Sequence, residues 1–133
     1  MQQGVIAEPT QDAQIIADTI AEYLKANKTF NRWFERGPIE VYVRRQKVIL
    51  SRERGIADAL TLARVTVEEC ERGKGVFKGL LTLSEELVRR YIPGGVLYIE
   101  GVGNEGLAAC LERRGYTKKP IGQDAPAFYW SPR

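Results

Sequence analysis

The run Arg72 Gly73 Lys74 Gly75 Val76 Phe77 sets two glycines and two cations directly ahead of an apolar, helix-patterned stretch. Glycines at such a place let successive backbone N–H groups converge, and the unpaired amides and dipole of a helix start attract a phosphate or pyrophosphate. Arg72 and Lys74 add longer-range attraction for an anion. A capped turn feeding a helix has the same local composition, so the segment by itself leaves both readings open. Two familiar glycine signatures do not fit. A Walker loop needs Lys and then Ser or Thr after its final glycine, and a dinucleotide fingerprint needs G-x-G-x-x-G, whereas Gly73, Gly75 and Gly79 are spaced otherwise.

Composition narrows the chemistry. The 133 residues include no histidine, which removes the commonest general base and the commonest metal ligand. Carboxylates, tyrosines, cysteines, backbone amides or a cosubstrate must carry any reaction, and no metal is expected. Cys70 and Cys110 have no metal-ligand spacing and read as two free thiols of a reducing, cytoplasmic compartment. The 20 Lys and Arg against 17 Asp and Glu give a formal charge of +3 with the signs interspersed, short of the basic stripe a phosphate-backbone binder needs. The doublets Arg44 Arg45, Arg89 Arg90, Arg113 Arg114 and Lys118 Lys119 keep nucleic acid as a disfavoured alternative, recognisable by strong salt dependence. No run approaches the roughly 18 apolar residues of a membrane span.

The elements that must position the loop follow from periodicity. The length predicts one domain over residues 1–133. A short strand over 5–7 precedes a helix over 11–26, where Ile15, Ile16, Ile20, Tyr23 and Leu24 recur at helical spacing. Phe30, Trp33 and Phe34 read as a core plug between elements, with part of a binding wall as the alternative. Alternation of Ile39, Val41 and Val43 with Glu40, Tyr42 and Arg44 predicts either two tightly joined strands or one long bent strand up to about 52. The next strand places Leu60, Leu62, Arg64, Thr66 and Glu68 on one face and Thr61, Ala63, Val65 and Val67 on the other. A helix over 76–91, a strand over 96–100 and a helix over 105–114 follow, the last closed by Gly115 in a left-handed cap. The tail predicts a hairpin with strands near 116–119 and 126–130. This order implies α/β layers, with helices against a mixed sheet.

The loop resembles the acyl-CoA pyrophosphate loop of the Gcn5-related N-acetyltransferases, the GNAT family. Its pattern is Gln or Arg, two residues, Gly, one residue, then Gly or Ala, and Arg72 and Gly75 match the first two fixed positions. Phe77 departs at the third, leaving the amide usable. VIAEPTQDAQII, LARVTVEECERGKG and VLYIEGVGNEGLAACLERRGY resemble the family's first strand and helix, its fourth strand and loop, and its fifth strand and fourth helix. Asn104 and the Gly115 Tyr116 pair match family positions in the last of these.

The resemblance implies a GNAT-like mixed, mostly antiparallel sheet flanked by helices. It also implies an N-acetyltransferase that moves acetyl from acetyl-CoA, as cosubstrate, to a primary amine of unknown class by direct attack in a ternary complex. Pantetheine would lie between splayed strands along Val65 and Val67, a backbone N–H near Val67 would polarise the thioester, and the amides of Gly73, Lys74, Gly75, Val76 and Phe77 would hold the pyrophosphate, with Arg72 beside them. Asn104 would contact the cofactor or cap its turn. Glu68 and Glu69, at the strand end, are the first candidates for the base. The family's thiolate-protonating tyrosine falls on Leu111 here, which makes Tyr116 a replacement candidate. Glu22, Trp33, Glu35 and Tyr129 are expected to line the acceptor site. Leu111 also sustains an alternative: a weakened GNAT-like protein that acts by binding a protein partner. The run Ala127 to Trp130 makes a homodimer possible.

Overall fold

The computed structural model describes residues 10–67, 75–102, 105–119 and 126–132. The expected strand over 5–7 lies outside them.

Thr10 stands in extended backbone and its hydroxyl accepts from the Ala13 N–H at 3.2 Å, starting α1, Gln11–Lys25, with Asp12 in the first turn and Lys25 in the last. Ala13, Ile16, Ala17, Ile20 and Leu24 recur at helical spacing and are buried. Stacking of Tyr23 on Phe30, with centroids 4.6 Å apart, ties the helix end to β1, Phe30–Arg36. The expected core plug is therefore an edge strand. Only one face of an edge strand need be apolar, so Phe34 enters the core while Trp33, next along and on the other face, is 51% exposed.

A two-residue turn, with Arg36 paired to Ile39, leads into β2, Ile39–Ser51, a single long strand. Its side chains explain why alternation breaks off in the sequence. Ile39, Val41 and Val43 point into the core beneath α1, whereas Val48 and Leu50 point to the opposite face and join a second cluster with Ala59, Val96, Tyr98, Ala127 and Tyr129. The buried face changes along one strand, and Arg44 to Lys47 mark the change.

β3, Gly55–Val67, pairs antiparallel with β2. Tyr42 faces Ala63 but Glu40 faces Thr66, so Val41 opposes two residues, Arg64 and Val65. This is a β-bulge, and Arg64 occupies the left-handed region at φ 54. The extra residue reverses the facing beyond it. Val65 packs against the core shared by Leu60 and Leu62, not on the face of Thr61 and Ala63. Left-handed backbone costs a non-glycine residue about 1–2 kcal/mol. Arg64→Gly is therefore expected to raise the denaturation midpoint modestly, and Arg64→Val, β-branched, to lower it, both readable by urea titration.

α2, Val76–Tyr91, buries Val76, Leu80, Leu81, Ser84, Leu87 and Val88 and carries Arg89 and Arg90 in its last turn. β4, Val96–Glu100, follows and pairs parallel with β3. α3, Glu105–Arg113, ends at Gly115 with φ 90, the left-handed cap its sequence position requires. β5, Thr117–Lys119, and β6, Ala127–Trp130, form the terminal antiparallel pair. The sheet order is β1-β2-β3-β4-β6-β5, with β3 and β4 its parallel neighbours and the other described pairs antiparallel. A mostly antiparallel mixed sheet flanked by helices is the architecture that the sequence implies.

Candidate functional site

The β3–β4 ladder runs from Ala59 opposite Val96 to Ala63 opposite Glu100. There the two strands take different partners. β3 enters its bulge and continues to Val67 alongside β2, while Gly101 at φ 73 turns the other chain and the Val102 N–H donates to Pro126 O at 3.0 Å. The result is a gap whose β3 side offers backbone without a β4 partner among the described residues. Val65 lies on this side, and Val67 closes the strand.

Gly75 caps α2 in the left-handed region, φ 81 and ψ 7, and its carbonyl accepts from the Gly79 N–H at 2.9 Å. The following amides, of Val76, Phe77 and Lys78, head the helix where the helix supplies them no acceptor. Val76 is buried and Phe77 is turned partly into the core. The bulky side chain therefore packs away while its amide stays at the helix start. Glu68, Glu69, Arg72, Gly73, Lys74 and Asn104 lie outside the described residues, as does Cys70.

Tyr116 is placed elsewhere. It is 5% exposed, and its hydroxyl donates to Glu85 Oε2 at 2.6 Å. The same carboxylate takes Arg114 Nη2 on Oε1 at 2.7 Å and Arg114 Nε on Oε2 at 3.2 Å. Burial, then the bond to Glu85, pushes the Tyr116 phenol well above the usual tyrosine range. Glu85 lies almost three turns beyond Gly75, about 15 Å along the helix, so Tyr116 is not gathered with the helix start. Leu111 is fully buried and its carbonyl accepts from the Tyr116 N–H at 3.0 Å, so its position holds an apolar side chain in the core.

The sheet face opposite α1 carries a wall beside the gap that sequence reading found only in part. One row across four strands runs Trp33, Tyr42, Ala63, Glu100, and the next runs Glu35, Glu40, Thr66. Trp33 and Tyr42 touch with centroids 5.2 Å apart. Arg44 Nη2 meets Glu100 Oε1 at 2.6 Å and its guanidinium sits 5.5 Å from the Tyr42 ring centre. Of the expected acceptor residues, Trp33 and Glu35 join this wall. Glu22 is instead an exposed partner of Lys25 on α1, and Tyr129 lies toward the far end of the sheet, opposite Tyr98 and Thr117. Tyr42, Glu40 and Glu100 were missed, although the signal was present: polar residues alternating through IEVYVR, and a carboxylate ending VLYIE. Among the described residues no three His, Cys, Asp or Glu side chains gather closely enough to hold a metal ion, and no helix is long and apolar enough to cross a membrane.

Comparison with solved structures places this architecture. A mutant of KacT superposes with a TM-score of 0.50 at 15% identity, covering 69% of this chain and 61% of that one. The fold is GNAT-like. Naa50 of Arabidopsis thaliana, in complex with the bisubstrate analogue CoA-Ac-MVNAL, gives a TM-score of 0.49 at 13% identity over 68% of this chain and 62% of that one. A mutant of the toxin AtaT, bound to acetyl-CoA and the C-terminus of the antitoxin AtaR, gives 0.46 at 17% identity over 68% and 57%. The GNAT-like chain thus spans less than two thirds of the length of these structures. No protein-family model and no curated protein sequence matches it.

Proposed function

We propose that this GNAT-like chain binds acetyl-CoA in the gap between β3 and β4 and transfers the acetyl group to a primary amine by direct attack in a ternary complex. The observation that carries the reading is the parting of β3 from β4 at the Ala63–Glu100 pair, on a sheet whose next helix starts from a left-handed glycine. A pantetheine arm can bond to the freed backbone of Val65 to Val67, and a pyrophosphate can take the amides from Gly73 to Phe77 beside Arg72. In the transfer the amine nitrogen bonds to the acetyl carbon, the carbon–sulfur bond breaks, the thiolate leaves and the amine gives up a proton. The protein positions the two reactants and polarises the thioester carbonyl through an N–H near Val67.

Glu68 and Glu69 remain proposed proton acceptors, and Glu100 joins them because it ends the last β3–β4 pair. The acidic and aromatic wall of Glu35, Glu40, Trp33 and Tyr42 suits a cationic amine. Tyr116, engaged by Glu85, is assigned a structural part. Proton return to the thiolate is left to solvent, since Leu111 has nothing to donate. That one observation favours a second reading, in which the cofactor binds but transfer is lost and the chain acts through a protein partner.

Calorimetric titration with acetyl-CoA, followed by thiol release against a panel of primary amines, separates the outcomes. Micromolar binding with amine-dependent release supports the transferase, and Glu100→Gln is expected to lower kcat by roughly a hundredfold, the scale of a lost proton acceptor. Binding without release selects the second reading. Absence of binding by folded protein overturns both.

A further inference from the structure

The strands part at the C-terminal ends of β3 and β4; around the other end of the sheet lies a cavity of about 590 Å³ lined by Arg54, Arg89, Arg114, Tyr129, Trp130 and Ser131 among others. We infer that this cavity is a receptor for a small organic phosphate, a site separate from the β3–β4 gap and independent of the function proposed for it.

Two of its guanidiniums lie over aromatic rings. Arg54, in the turn between β2 and β3, lies 5.2 Å from the Tyr129 centroid and donates from Nη2 to Ser131 Oγ at 3.1 Å. Arg89, in the last turn of α2, lies 5.4 Å from the Trp130 centroid. A guanidinium over a ring face still has N–H groups for a second partner, and its planar fork matches phosphate oxygens in pairs. Arg114 is fixed from behind by Glu85. The opposing charges are few. Glu85 occupies Arg114, and Glu86 meets Arg89 at 2.7 Å in a solvent-exposed i,i+3 pair of the kind that contributes little. Arg54 has no carboxylate partner among the described residues. Three guanidiniums facing two carboxylates leave an excess of positive charge, which an incoming anion neutralises. The volume falls within the range of small-molecule sites, roughly 300–1,000 Å³, and exceeds what a lone phosphate fills. The ligand class is thus a phosphate ester of about mononucleotide size.

Inorganic pyrophosphate and AMP serve as probes, titrated calorimetrically at low salt into the wild type, Arg54→Ala, Arg89→Ala and Gly75→Asp, with folding checked by circular dichroism. Each arginine variant is expected to bind AMP about tenfold or more weakly, since a charge-assisted bond is lost, while leaving acetyl-CoA affinity in place. Gly75→Asp is expected to bind AMP as the wild type does. Saturable AMP binding with this pattern supports a phosphate-ester site, and pyrophosphate binding without AMP binding restricts it to inorganic anions and overturns the ligand class. No saturation by either probe, undiminished binding in both arginine variants, or loss of binding in Gly75→Asp would overturn the site itself. The last result would put the anion on the α2 glycine loop.

Discussion

Gly75→Asp is expected to weaken acetyl-CoA binding by at least about a hundredfold, with Gly75→Asn within about tenfold of the wild type, in parallel calorimetric titrations. Gly75 stands at φ 81 at the head of α2, where Asn and Asp enter the left-handed region with similar, small strain. The two variants differ in one charge. A carboxylate about 4 Å from a phosphate repels it by about 4 kcal/mol at an effective dielectric near 20, far more than the difference in backbone strain. Equal losses in Asp and Asn would point to backbone geometry instead of charge. Unchanged affinity in both would remove the pyrophosphate from this loop, and with it the placement of acetyl-CoA.

The second large effect concerns stability. Glu85→Ala should lower the unfolding free energy by about 2–3 kcal/mol, because it strands a buried phenol and takes the carboxylate from a partly buried guanidinium at once. Discounting for the 27% exposure of the Arg114 side chain keeps the figure at the low end of buried-pair losses. For a chain of this size the melting midpoint falls by roughly 6–10 °C. Tyr116→Phe, which leaves the Arg114–Glu85 pair intact, should cost about 1 kcal/mol near neutral pH. It should also change the alkaline limb. The folded-state phenol is raised, first by burial and then by its hydrogen bond to Glu85, so its contribution is fully present below the unfolded value of about 10 and is lost as pH rises beyond it. The wild type should therefore lose up to about 1.4 kcal/mol per pH unit above pH 10 from this group. In Tyr116→Phe that part of the slope should vanish. Parallel slopes in the two proteins would sink the assignment.

The elements with a full set of local signals were legible in the sequence. α2 has an apolar stripe, a glycine before its first turn and two arginines in its last, and its bounds fall at Val76 and Tyr91 as the spacing predicts. β4 was bounded by Gly95 and Gly101, and its residues from Val96 to Ile99 are all buried, on both faces. What stayed hidden depends on partners distant in sequence. Nothing local in NRWFER says that Phe34 goes inward and Trp33 outward until β2 is beside it. The bulge at Arg64 has no composition mark, since arginine is a poor left-handed residue, yet it reverses the facing of Val65. For the site, the glycine at the start of α2 was readable as a helix entry, whereas the pairing of Glu100 with Arg44 joins residues of two strands that do not adjoin in the sheet.

The short parallel ladder between β3 and β4 has a consequence for how the molecule breathes. On one side of it, β1, β2 and β3 form a meander of sequence neighbours. On the other, β4, β6 and β5 are gathered from the last third of the chain. Within the sheet these two blocks meet over the stretch from Ala59 to Ala63, much shorter than the β2–β3 contact inside the meander. An opening along this seam would lead into the same gap that a pantetheine arm would fill. A molecule seated there would bridge both blocks, so occupancy would be felt as slower amide exchange along the whole seam, including at residues that never touch the ligand.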